Sequence, residues 1–248
     1  LQRPLPHSAL NPVSPSNLFR ACGLIGCRRF SCRVDSWRDP SHMYETDLSH
    51  HSVCAMTPSP VSDKRQHVVE TAYVLFKRAG FHATGIDRII AEADVAKMTM
   101  YRHFPSKDEL IVEVLDYRAM RFDRQLDRLA QEGIPPEQKI GRIFDWHALW
   151  FRSADFHGCL FAHALAEFGD PGHPVFKAVV RQKNGLKRRM RSILEEMMPR
   201  GRAESVAATL LMLIEGATLL AQMGPADAAI RDARKAAMGI VAASRKSQ

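Results

Sequence analysis

The run Lys97-Met98-Thr99-Met100-Tyr101-Arg102-His103-Phe104-Pro105-Ser106-Lys107-Asp108-Glu109-Leu110 organises the reading of this 248-residue chain. Its spacing predicts a short helix from Lys97 to Phe104, which Pro105 stops because proline has no N–H to continue the ladder. Ser106, followed three residues on by Glu109, forms a capping box that opens a long helix at Lys107. Met100 and Phe104, with the preceding Val95, share an inward face of the short helix. Lys97, Met98, Thr99, Tyr101 and Arg102 fall outside, with His103 near the end. From Lys97 to Lys107 there are three fixed positive charges and no acid.

Upstream, Val69, Ala72, Tyr73, Phe76 and Ala79 follow 3-4 spacing and define the face of a first helix. Gly80 stands where a helix takes a left-handed C-cap, with Phe81 placed to fold back. Thr84 and Asp87 resemble a capping box for a second helix through Ile86, Ile89, Ile90 and Ala93, which breaks at Asp94-Val95. Two short helices joined by a tight turn, the second polar outside and apolar inside, make a helix-turn-helix layout. In that layout Lys97 reaches guanine O6 and N7, and Thr99 offers a hydroxyl to a base edge and a methyl to thymine. Tyr101, His103 and Lys107 suit phosphate oxygens, Lys107 at a helix N-terminus that already favours an anion. Helix pattern alone fits equally well a helical hairpin with a solvated basic face.

Downstream, further helices are expected from Pro135-Pro136 to Ser153, Leu160 to Phe168, Pro174 to Met198, Ala203 to Met223 and Pro225 to about Ser244. No stretch alternates long enough to be a strand, so the fold class is all-α. Lys+Arg number 35 against 27 Asp+Glu, a net charge of +8 that asks about an anionic partner without placing it. Residues 61–110 hold 8 basic and 7 acidic residues, so most of the surplus lies elsewhere. Hydrophobic residues at 46% exclude a wholly disordered chain. No phosphate loop, dinucleotide fingerprint, zinc-protease or serine-hydrolase motif is present, and no enzyme, cofactor or metal is expected.

Residues 1–60 are rich in Pro, Ser, Arg and His, lack periodicity and read as disordered. The chain begins with Leu1, and translation is expected to start at Met43 or Met56. Cys22, Cys27, Cys32 and Cys54 leave only Cys159 for the remainder, which suits a reducing cytoplasm. The five-residue cysteine period matches no common zinc spacing.

The segment Ala93 to Leu110, together with Phe81-His82-Ala83-Thr84-Gly85-Ile86-Asp87-Arg88-Ile89, resembles the signature of the TetR/AcrR family of bacterial transcriptional regulators over residues 63–115. The resemblance implies an N-terminal three-helix DNA-binding head over residues 61–110, and a C-terminal helical effector-binding and dimerisation domain over 111–248. It implies that Lys97, Met98 and Thr99 face bases, while Thr84, Tyr101, His103 and Lys107 hold phosphates; Arg102, on the same outer face, is counted with the DNA-binding residues. Three departures are visible. Asp94 takes the turn position usually filled by Gly, Ala96 replaces a frequent Ser cap, and Met98 replaces a common Gly.

The implied function is a cytoplasmic, nucleoid-associated repressor that binds a palindromic operator as a homodimer and is released by a small hydrophobic effector. An activator of the same architecture, or a helical interaction module without DNA binding, are the alternatives. The effector pocket is expected around Trp146, His147, Trp150, Phe151, Cys159, His163 and Glu167, with plain core packing as the alternative for each, and His163 and Glu167, four residues apart, suit a hydrogen-bonded pair or half a metal site. Residues 205–226 carry a single charge, Glu215, and read as a buried helix rather than a membrane span. The helices over about 203–244 are expected to pair with their twofold copies, using the small-residue stripe Ala229, Ala233, Ala236, Ala237 and Ile240. The basic run Lys177, Arg181, Lys183, Lys187, Arg188, Arg189 and Arg191 reads as a solvated face.

Overall fold

The computed structural model describes residues 60–246. The expectations for the N-terminal stretch, namely its disorder, its start site and its cysteine spacing, lie outside the described residues. Among the described residues nine helices follow one another: α1 (Pro60–Ala79), α2 (Ile86–Glu92), α3 (Lys97–His103), α4 (Lys107–Gln131), α5 (Pro136–Arg152), α6 (Leu160–Glu167), α7 (Pro174–Glu195), α8 (Arg200–Gln222) and α9 (Ala226–Lys246). Among the described residues there is no strand.

Local chemistry sets the boundaries of the first four helices. Gly80 ends α1 at φ 85°, and its N–H reaches the Phe76 carbonyl at 2.9 Å. The turn between α2 and α3 passes through Asp94 at φ 48°, a left-handed conformation that Asp tolerates better than most residues. Ala96 begins α3 without a side-chain cap. Ser106 accepts the Glu109 N–H at 3.2 Å and opens α4. The proposed Thr84–Asp87 box does not form. Gly85 is the N-cap of α2, and the buried Thr84 instead donates its hydroxyl to the Gly80 carbonyl at 2.7 Å.

The apolar residues collect in two cores. The first joins Phe76 and Phe81 to Ile89, Met100 and Phe104, and continues into Leu110 to Leu115 of α4. It also takes in Leu160, Phe161 and Ala164 of α6 and Val175 to Val179 of α7. The boundary that the sequence places at residue 110 therefore falls within the first turn of α4, in a continuous apolar cluster. The second core packs α5, α7, α8 and α9 around Phe144, Met190, Leu194, Leu210 and Ile214.

Two expectations about the later helices are corrected. Ala229, Ala233 and Ala237 of the small-residue stripe are buried inside the protomer, where α9 packs on α5 and α8, whereas Ala236 is exposed and Ile240 half-buried. The basic run of α7 is not simply solvated. Arg181 pairs with Asp116 at 3.1 Å and Arg189 with Asp123 at 3.1 Å, both on α4. On the α8 side, Lys183 reaches Glu215 at 2.6 Å and Lys187 reaches Glu204 at 2.9 Å. These pairs cross between helices, which sequence periodicity does not reveal.

Candidate functional site

The outer face of α3 is built on an anchored inner one. Met100 is fully buried and Phe104 nearly so, holding the short helix against α1 and α4, while Ile89 fixes α2 in the same core. That leaves Met98 83% exposed, with Lys97, Tyr101 and Arg102 also exposed and Thr99 half-buried. Lys97 lies 3.3 Å from Asp87 on α2. Both side chains are open to water, so the pair is weak and Lys97 remains free to swing outward.

His103 is half-buried, and its Nε2 is buried without a partner among the described residues. Lys107 stands in the first turn of α4. Its pKa is lowered because burial disfavours the ammonium more than the nearby Glu167 and Asp108 favour it. Thr84 is the exception among the expected phosphate contacts. It is buried, and its hydroxyl proton is committed to Gly80, so its part is to lock the turn ahead of α2.

The second feature is a small cavity of about 50 Å³ walled by the later helices together with Tyr73 and Lys77 of α1. Of the expected pocket residues, Trp146, His147, Trp150 and Cys159 line it. Phe151 sits behind them against Phe156, ring centroids 5.0 Å apart. His163 and Glu167 do not pair. The Gln222 amide donates to His163 Nε2 at 3.1 Å, whereas Glu167 leaves the cavity altogether and holds the turn after α1. It accepts the backbone N–H of Phe81 at 2.9 Å and of His82 at 2.6 Å. Burial pushes the Glu167 carboxyl up, but these N–H donors and the His82 ring outweigh it and hold the pKa below the ordinary value.

Sequence reading missed Arg118, Gln182, Lys183 and Glu215 in the cavity wall. The available signal was Glu215, the lone charge of the apolar stretch 205–226, which needs a partner wherever it is buried. Lys183 provides it and also stands 3.4 Å from the Cys159 sulfur. Burial lowers the Lys183 pKa, but Cys159 and Glu215 more than reverse this and keep the amine charged. His147, 3% exposed, is pushed down to about 4 chiefly by burial and is neutral at pH 7. Its Nδ1 lies 2.7 Å from the Ile143 carbonyl and must carry the proton, so Nε2 is a bare acceptor.

An anchored, outward-facing basic helix in a three-helix head, joined to a helical domain with a cavity, defines a helix-turn-helix DNA-binding transcriptional regulator. The family models agree. Residues 68–114 match the model described as bacterial regulatory proteins, tetR family, and residues 136–237 match the tetracyclin repressor-like C-terminal domain. The chain belongs to the TetR family of transcriptional regulators.

Among curated relatives it is similar to the HTH-type transcriptional repressor KstR of Mycobacterium tuberculosis, 32% identical over 78 residues, or 32% of this chain and 36% of that one. It is also similar to the HTH-type transcriptional repressor DhaR of Mycobacterium sp. (strain GP1), 28% identical over 113 residues, or 45% of this chain and 54% of that one. The chain thus matches little more than a third to a half of these relatives' lengths. Among solved structures, SCO4454, a TetR-family transcriptional regulator from Streptomyces coelicolor, superimposes with TM-score 0.70 at 28% identity. That match covers 74% of this chain and 97% of that one. The reduced form of E. coli NemR shares the fold at TM-score 0.66 and 22% identity, covering 72% and 97%.

Proposed function

We propose that the chain is a ligand-responsive repressor that binds a palindromic operator as a homodimer and releases it when a small effector fills the cavity. The observation that carries this reading is the acid-free outer face of α3, held rigidly by Met100 and Phe104. Lys97, Met98 and Thr99 enter a major groove. Tyr101, Arg102, His103 and Lys107 meet the flanking phosphates. Residues 61–110 act as the DNA-reading head, and 111–248 as the sensing and dimerising part, working in the cytoplasm at the nucleoid.

Support for the dimer comes from α8. Its side away from the protomer core exposes Met212 (66%), Leu219 (61%) and Met223 (73%), with Leu220 and Gly216 beside them. An apolar stripe of this kind on a surface favours burial against a copy of itself. Two heads so joined read half-sites about one helical turn apart.

Support for ligand response comes from α6. Cys159 and Leu160 at its start line the cavity, and Glu167 at its end grips the turn that leads into α2. Arg118 and Phe122 of α4 line the same cavity. An effector that shifts either helix changes the position of the head, provided it binds the two arrangements with different affinity. The test is a gel shift on the DNA upstream of the chain's own gene. A retarded band that survives competitor DNA supports the reading, and its absence at low salt rejects it.

A further inference from the structure

Charge in the cavity wall does not cancel. Lys77 pairs with Asp155 and Lys183 with Glu215. Arg118, half-buried in the same wall, has no carboxylate partner among the described residues; its guanidinium carbon stands 5.9 Å from the centre of the Trp150 ring. His147 adds no charge, because burial keeps it neutral. One cation is therefore left over in a wall that also carries the rings of Phe122, Trp146, Trp150 and Phe161.

Polar atoms are left over as well. The Trp146 indole N–H and the Gln182 side-chain oxygen are both buried without a partner among the described residues, and both side chains line the cavity. Buried polar groups are nearly always paired, so an unpaired donor and an unpaired acceptor in one wall ask for a ligand that supplies the complement. His147 Nε2 is a further acceptor in the same wall.

We propose that the cavity takes a single-ring aromatic carboxylate, anchored by Arg118 and the Trp146 N–H, with a ring hydroxyl donating to Gln182 or His147. This names the effector class of the site and rests on the regulator reading above. The guanidinium fork matches a carboxylate with two parallel hydrogen bonds, which a neutral amide or alcohol cannot reproduce. The flat body lies among Phe122, Trp146 and Trp150, where Trp146 and Trp150 stack with centroids 6.0 Å apart. Size limits the class. A cavity of about 50 Å³ is smaller than the ~150 Å³ that holds benzene. One ring therefore enters only as the half-buried Trp150 moves aside.

The experiment uses the full chain with salicylate and benzoate, and with their neutral counterparts salicylamide and benzamide, read by calorimetry and by thermal melting. Salicylate is expected to bind at least tenfold more tightly than salicylamide. At a hundredfold excess over Kd it should raise Tm by about 5 °C or more. Arg118→Met is expected to remove that preference while salicylamide binding stays as it was, and Arg118→Lys to restore part of it. Trp146→Phe, which keeps the ring and loses the donor, lowers acid affinity severalfold and serves if Arg118→Met does not fold. Equal binding of acid and amide, no binding of either acid, or full acid affinity in Arg118→Met overturns the proposal. The unliganded chain is run beside these in an operator gel shift. Loss of that band counts against the regulator reading, whereas its presence without acid binding counts against the ligand class alone.

Discussion

Glu167 and His82 meet twice: the carboxylate oxygen Oε2 lies 2.6 Å from the His82 backbone N and 2.8 Å from its Nδ1. The second oxygen takes the Phe81 N–H, and a methyl group in place of the Gly80 hydrogen would come within 3.0 Å of it. His82 also stacks on Phe168, centroids 4.8 Å apart, and Phe168 in turn stacks on His173, which pairs with Asp108 at the start of α4. The end of α6 thereby ties the DNA-reading head to α4 and α7.

Glu167→Gln is expected to cost about 1–2 kcal/mol of stability at pH 7, the usual loss when a charged acceptor of backbone N–H groups becomes neutral. The Glu167 pKa is depressed in the folded chain, so its contribution is present above about pH 4.5 and lost as pH falls through the folded value. The difference between wild type and variant, followed by chemical denaturation, should shrink below pH 4.5. A difference that does not change with pH would show that the carboxylate's charge is not what holds the turn.

His147 imposes the opposite protonation problem. Its folded pKa of about 4 lies below the ordinary 6.5, because burial disfavours the charged ring. As pH falls from about 6.5 to about 4, the unfolded chain gains a proton that the folded chain refuses. Stability should fall by up to about 3 kcal/mol over that window. His147→Gln removes this segment of the pH profile, and a variant whose profile matches wild type between pH 6.5 and 4 would contradict the assignment.

Asp94 occupies φ 48° in the turn before α3. Replacement by Gly, which adopts that region freely but adds chain entropy, should leave stability within about 0.5 kcal/mol of wild type. Replacement by Val should cost about 1–2 kcal/mol, since a β-branched residue is strained there. Thermal melts of both variants check the pair. Equal effects would mean that the turn does not require the left-handed conformation.

Leu219→Glu together with Met212→Glu places two charges on the exposed stripe of α8, which no contact inside the protomer needs. Light scattering should give half the wild-type mass with helicity unchanged, and operator affinity should fall with it. Retention of the wild-type mass would move the dimer face elsewhere.

Features governed by neighbouring residues were legible before the structure. Gly80, Asp94 and the Ser106–Glu109 cap stand where turn chemistry puts them. The inner face Met100–Phe104 follows from period alone. Long-range partners were not legible. Glu167 sits four residues from His163, as a local pair would, yet its partners lie 85 and 86 residues away. Lys183 looks like one more surface lysine until Glu215 of α8 arrives beside it. Thr84 has the spacing of a cap, but the helix opens one residue later at Gly85, which leaves the Thr84 hydroxyl to donate to the Gly80 carbonyl.

Fluorescence anisotropy with a labelled duplex from upstream of the chain's own gene, titrated at several salt concentrations, is the most direct test that α3 reads DNA. Lys97→Ala should weaken binding about ten- to hundredfold and narrow the gap between this duplex and a scrambled one. Lys107→Ala should weaken both duplexes alike and lower the salt slope by about 1. Wild-type affinity in Lys97→Ala, or equal wild-type binding to native and scrambled duplexes, would contradict the account.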